Sequence, residues 1–263
     1  MSKSRIFYFT GTGNSLFAAK ELQKRIPECV IEPMIKSINN GPSVIEEEMI
    51  GFVFPIYMMS APLPLLEIIE SIDMTHAKYI FAVATRKGTS HGAFETIEKL
   101  LRKKNKKLDA SFNLKMCNNS GRFKYIAPTE EEIKQIENDA LAELETISTV
   151  INSRQNHRVK DVTADRKVPK IFMRLASGMA YVSNSGLHAN EKCSGCGTCA
   201  MVCPSNRIKV NGSTVWDKSQ KCYNCAACIN YCPVQAVQIK GFTEEGERYS
   251  HPYATPADIA AQK

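Results

Sequence analysis

The chain is poor in three things, and each shortage closes off a class of function. Its longest apolar runs are too short to span a bilayer, so no membrane segment is expected. It has five histidines, with no metal-ligating pair and no Ser–His–Asp or Cys–His arrangement. Catalytic nucleophiles are therefore not expected, and no catalytic residue is assigned. Its single tryptophan and scattered aromatics do not interleave with basic residues, and no recognition helix stands out. The formal charge of +7 is thus weak evidence for nucleic acid. No secretory leader is visible either: Ser2-Lys-Ser-Arg5 runs straight into a predicted strand, which makes a reducing cytoplasm the expected compartment.

What the chain does have is cysteine in a pattern. Cys193, Cys196, Cys199 and Cys203 are followed by Pro204; Cys222, Cys225, Cys228 and Cys232 are followed by Pro233. Both runs read C-x2-C-x2-C-x3-C-P. That spacing holds two [4Fe–4S] clusters, the fourth cysteine of each run serving the other cluster. One set is then Cys193, Cys196, Cys199 and Cys232; the other is Cys222, Cys225, Cys228 and Cys203. Zinc could use the same residues but has no need of the x3-C-P spacing. Disulfides do not suit a reducing compartment. Small residues crowd both loops (Gly195, Gly197, Thr198 and Ala200; Asn224, Ala226 and Ala227), so backbone N–H groups can approach sulfur. Tyr223 and Ile229 are expected to shield a cluster from water, and Ile208 and Trp216 to fill a thin core. Cys29 and Cys117 stand outside the pattern and read as small buried hydrophobes.

A second motif lies near the other end. Thr10-Gly-Thr-Gly-Asn-Ser15 sits between a strand ending at Phe9 and a helix over 14–25. Two glycines permit a tight turn, and the N–H groups of the turn and first helical turn can point into one concavity. A phosphate monoester fits without a lysine. The dinucleotide fingerprint fails for want of a third glycine, and the triphosphate loop for want of Gly-Lys-Ser/Thr.

Strands are expected over 5–9, 28–32, 49–54, 79–84 and 114–117, with further helices over 93–104 and 129–153, the latter capped by Thr129 and started by Glu130-Glu-Glu132. The alternation predicts a doubly wound parallel α/β sheet. Ligands in such sheets lie beyond the carboxyl ends of the strands. The loops there hold Pro55, Ile56, Tyr57 and Met58 after the third strand, and Thr85, Arg86, Lys87, Gly88 and Gly92 after the fourth. Tyr57 is the candidate to stack on a ring ligand, Met58 or Met59 to touch its edge, and His91 to cap a helix. Four regions follow: 1–155, the sheet; 156–187, a basic linker with a short helix over 171–180; 188–240, the cluster module; and 241–263, a loose tail in which Tyr249, His251 and Tyr253 can still pack locally.

These residues carry a resemblance. Thr10–Ser15 matches the S/T-x-T-G-x-T/S loop of the flavodoxin family, and the loops at 55–60 and 85–92 follow by position. The resemblance implies five strands in order 2-1-3-4-5 and FMN bound by the three loops. Residues 188–240 resemble the bacterial two-cluster ferredoxins, which are small α+β domains, with a longer segment (204–221) between the runs than in the most compact members. Together they are similar to flavodoxin–ferredoxin fusions, found mostly in anaerobes. With two clusters and FMN bound, each carrying roughly −2, the net charge falls to about +1. The expected role is an electron carrier linking redox partner proteins, rather than an oxidoreductase with its own substrate. The alternative is a flavin- and iron–sulfur-dependent reductase that meets a small electron acceptor at the flavin. Pairing with a second copy of the chain stays open.

Overall fold

A computed structural model describes residues 3–57, 60–90, 92–119, 124–159 and 186–263. The expected helix over 171–180, most of the basic linker, Met58, Met59 and His91 lie outside these residues.

The main sheet follows from alternation along its strands. β1 (Ser4–Tyr8), β2 (Cys29–Pro33), β3 (Met49–Pro55), β4 (Tyr79–Arg86) and β5 (Ala110–Lys115) pair in parallel in the order β2-β1-β3-β4-β5. Phe52 and Phe54 of β3, and Ile80, Ala82 and Ala84 of β4, point to one face with Phe7. Ile6, Tyr8, Val53, Phe81 and Val83 point to the other. Strands covered on both faces must be apolar at nearly every position, and these are. The helices α2 (Met34–Asn40), α3 (Leu63–Ser71) and α4 (Ala93–Lys103) contribute to the first core; α1 (Asn14–Arg25) and α5 (Glu130–Asn152) contribute to the second. Gly51 stands opposite Phe81 in the β3–β4 register, and a side chain there would strike the Phe81 ring. The α5 cap forms as expected, with Thr129 and Glu132 in a reciprocal capping box.

Two expectations need correction. The fifth strand starts and ends earlier than 114–117 suggests. Its register against β4 is set by Ala110, Phe112 and Leu114, all buried, and it ends at Lys115. The stretch from 241 is not loose: Tyr249 and His251 are buried, and α8 (Pro256–Ala260) is capped by Thr255 and Asp258. Gln262 is fully buried beside β1, where its amide accepts from the Thr10 N–H at 2.9 Å and donates to the Thr10 carbonyl at 3.0 Å.

The cysteine region is small. β6 (Leu187–Ala189) pairs antiparallel with β9 (Val237–Ile239), and β7 (Ile208–Asn211) with β8 (Ser213–Trp216). The short helical turns α6 (Thr198–Met201) and α7 (Ala227–Asn230) each follow the second cysteine of a run. The region's own apolar cluster is thin: its buried members are Ile208, Ile229 and Val237 with Cys199 and Cys203. Its second half joins the core of the sheet instead, through Cys225, Ala227 and Tyr231. Phe9 packs edge-on against Tyr223, and Glu67 of α3 accepts from Lys221 at 2.6 Å and from the Tyr223 hydroxyl at 3.2 Å.

Candidate functional site

The cavity at the carboxyl ends of β1, β3, β4 and β5 gathers most of the expected residues. Thr10, Gly11, Thr12, Asn14, Ser15, Pro55, Ile56, Tyr57, Thr85, Arg86, Lys87 and Gly88 all line it. Two do not. Gly13 turns the chain into α1 at φ 103 and faces His251 and Ala254; Gly92 caps α4 at φ 76. Both are glycine because that left-handed backbone disfavours a side chain. Thr89 lines the cavity from within the expected 85–92 loop, whereas Cys117, Asn118 and Asn119 also line it and were missed. The cause is the misplaced fifth strand. A strand running to residue 117 hides a loop that leaves β5 at this same edge.

The loop is braced from within. The Gly13 N–H donates to Thr10 Oγ1 at 2.9 Å, the Asn119 amide donates to Thr12 Oγ1 at 2.6 Å, and Ser15 Oγ pairs with Thr85 Oγ1 at 2.7 Å. Asn14 donates to the Cys117 carbonyl at 2.9 Å and accepts from the Tyr249 hydroxyl at 3.0 Å. Several hydroxyls expected to bind an anion thus also hold the loop's shape. Asn14 and Ser15, at the start of α1, line this cavity, and the first N–H groups of a helix have no intrahelical acceptor, as a phosphate cradle requires. The donor set therefore fits an FMN phosphate.

Tyr57 is buried and its hydroxyl has no hydrogen-bond partner among the described residues, although Gly11 and Asn119 lie close. Burial raises its phenol well above the ordinary range. Gly11 cannot carry a side chain: it would collide with the Tyr57 hydroxyl and the Cys225 carbonyl. The phosphate loop and the second cysteine run are therefore in direct contact.

The eight cysteines of the pattern fall into two neighbourhoods. Cys199 lies within electrostatic reach of Cys232, Cys193 and Cys196. Cys225 has Cys222 and Cys203 about it, and Cys228 has Cys225, Cys222 and Cys203, with Cys199 beyond. Cys232 thus lies with the first run and Cys203 with the second. The backbone repeats as the sequence does: Gly195 and Asn224 share a positive φ (69 and 53), as do Gly197 and Ala226 (78 and 56) and Asn206 and Gln235 (53 and 50).

The surroundings differ. Cys193 and Cys196 are exposed, while Cys225 is buried. A hydroxyl hydrogen bond from Thr198 lowers the Cys196 thiol; burial raises Cys222, Cys225 and Cys228. The second set shares a cavity with Arg207, Trp216 and Tyr223. Four residues of that cavity, Ile56, Tyr57, Asn118 and Asn119, also line the phosphate-loop cavity, so they form a common wall.

Among the described residues, no three His, Cys, Asp or Glu side chains gather as a site for a metal ion. A cube of iron and sulfide takes each thiolate on a different iron, so its ligands stand wider apart than those of a lone ion. Buried N–H donors without partners on Arg207 and Trp216 face the same cavity as the second set, and they suit a sulfur-rich anion. The residues fit two clusters.

Residues 186–248 match the family described as a 4Fe-4S dicluster domain. No curated protein matches the chain. Among solved structures, it is similar to a putative flavoprotein from Bacteroides uniformis (17% identity, TM-score 0.35, covering 52% of this chain and 98% of that one). It is similar to rubredoxin oxygen:oxidoreductase from the anaerobe Desulfovibrio gigas (12%, 0.33, 59% and 37%), so it spans little more than a third of that protein. It is also similar to an FMN-dependent NADH-azoreductase from Bacillus anthracis, solved with FMN (8%, 0.37, 57% and 100%). The expectation of an electron carrier is not met among them: two are named as an oxidoreductase and a reductase. Among the described residues no helix is long and apolar enough to cross a membrane. The chain joins a parallel sheet in flavodoxin-like order to a 4Fe–4S dicluster region.

Proposed function

We propose that this chain is a flavin- and iron–sulfur-dependent oxidoreductase that reduces a small substrate at the flavin. The single observation that carries this is the common wall. One polar cavity at the sheet edge and one cavity lined by four cysteines share Ile56, Tyr57, Asn118 and Asn119 as lining residues. Bound clusters would deliver electrons one at a time, and bound FMN would combine them into the pair that most small acceptors need.

The chain's own residues divide the work. Thr10–Ser15 and the start of α1 would hold the phosphate. Cys203, Cys222, Cys225 and Cys228 would hold the cluster beside the wall, here called proximal. Cys193, Cys196, Cys199 and Cys232 would hold the distal one, whose two exposed cysteines suit it to meet an electron-donating protein. Tyr57 closes the wall to water. Arg86 and Lys87 put positive charge at the cavity, which favours a reduced, anionic flavin. Asn118 and Asn119 add polar groups to the lining.

The test is anaerobic purification with counts of flavin, iron and sulfide, followed by stopped-flow mixing of the reduced protein with small oxidants such as azo dyes or quinones. FMN at one per chain, two four-iron clusters, and saturable oxidation of the flavin by a small acceptor are expected. Absence of FMN, or oxidation that never saturates, contradicts the proposal.

A further inference from the structure

The segment 204–221 between the cysteine runs folds as the β7–β8 hairpin, turned at Gly212 (φ 71). Ile208 pairs with Trp216, and the Asp217 N–H closes the base on the Arg207 carbonyl at 2.7 Å. Arg207, just before β7, and Trp216, at the end of β8, both stand at the base of the hairpin, where it meets the cysteine runs. Both line the cavity of Cys203, Cys222, Cys225 and Cys228.

Arg207 is only 5% exposed. Its Nε and the indole Nε1 of Trp216 are buried donors with no hydrogen-bond partner among the described residues. Arg207 leans on Cys222, and the carboxylate in its range, Asp217, already accepts from the Ser219 N–H at 2.9 Å and hydroxyl at 2.6 Å. A guanidinium taken out of water without a closed ion pair is costly, so a fold that buries one needs an anion beside it. Lys263, which donates to the Ala200 carbonyl at 3.1 Å, adds a second positive charge within reach of Cys203.

The distal set is served differently. Its sulfurs meet the Thr214 and Thr198 hydroxyls at 3.4 Å and the Ala236 N–H at 3.2 Å, all neutral. The guanidinium near Cys232, on Arg248, donates from its terminal nitrogens to the Thr243 and Gly246 carbonyls and to Gln238, and only its Nε is left, like that of Arg207, buried without a partner among the described residues.

We propose that the hairpin exists to set Arg207, with Trp216, as the fixed counter-charge and donor pair of the proximal cluster, holding its potential above that of the distal one. Positive charge and N–H donors at the sulfurs stabilise the added electron. Electrons entering at the exposed end then collect beside the flavin. This rests on the reading that both cysteine sets hold clusters. Arg207 acts here as a positioning and tuning residue, not as a ligand.

An EPR-monitored redox titration of the anaerobic holoprotein tests it, the proximal signal being the one lost in Cys225→Ser. Arg207→Met is expected to make reduction of the proximal cluster at least tenfold less favourable, a fall of 59 mV for one electron, with the distal potential unmoved. Arg207→Lys keeps most of the wild-type value, and Trp216→Phe moves it the same way but less. Unchanged potentials in Arg207→Met, or equal shifts of both clusters, overturn the inference. Should Arg207→Met shed the proximal iron, Arg207→Lys decides: iron retained there supports a need for charge, and iron lost there means shape alone was needed and overturns it. A wild-type protein without iron refutes the underlying cluster reading instead, and the inference falls with it.

Discussion

The two cysteine runs have one backbone and two environments. Left-handed residues, helical turns and the proline that ends each run recur at matching positions. Yet the first run begins with two exposed cysteines, and the second is pressed between the sheet's core and the phosphate loop. The comparison separates what a cluster needs from what a relay needs. Spacing and backbone make the binding loop; in the function proposed above, position in the molecule would make one cluster an entrance and the other a neighbour of the flavin.

Removing the iron exposes the contrast most strongly. The cysteine region has few buried apolar residues of its own, so in the proposed reading metal–sulfur bonds would substitute for a core. Anaerobic chelation should abolish hydrogen-exchange protection over 187–239, while the strands of the main sheet keep theirs. Protection retained in the cysteine region would break the account of how it is held.

The contact between the second run and the sheet comes next. Gly11→Ala forces a methyl group into the Cys225 carbonyl, a backbone atom that cannot step aside. A loss of about 3 kcal/mol in denaturant unfolding is expected, with weaker flavin retention. A smaller effect attends the tail. Gln262→Ala removes both hydrogen bonds to Thr10 and should cost about 1–2 kcal/mol. The loosened loop should lose FMN faster, as read by fluorescence of the released flavin.

The smallest effect sharpens the comparison of the runs themselves. Gly197 and Ala226 occupy the same left-handed position, one without strain and one with it. Gly197→Ala should destabilise by about 1–2 kcal/mol. Ala226→Gly should stabilise, by at most about 1 kcal/mol because glycine also loosens the unfolded chain. Shifts of the same sign in both variants would show that the two loops are not equivalent.

Much of this was legible beforehand because the signals are local. The cysteine spacing, the glycines at 11 and 13 and the Thr129 cap each state their geometry within a few residues. The strand order came from the resemblance to flavodoxins, and the structure bears it out. What stayed hidden depends on distant partners. β5 takes its register from β4, so its true end, and with it Cys117–Asn119, could not be read from 110–117 alone. The tail looked loose because its polar residues find partners more than a hundred positions away: Tyr249 on Asn14, Gln262 on Thr10. Arg207 passes for a surface charge until the hairpin folds it against Cys222.

The most direct measurement follows flavin bleaching after anaerobic mixing of the holoprotein with a reduced one-electron protein donor too large to enter the sheet-edge cavity. Wild type should bleach quickly, and Cys225→Ser, reconstituted with FMN, at least a hundredfold more slowly. Equal rates in the two proteins would mean that electrons reach the flavin without passing the wall of Ile56, Tyr57, Asn118 and Asn119, and the account would fail.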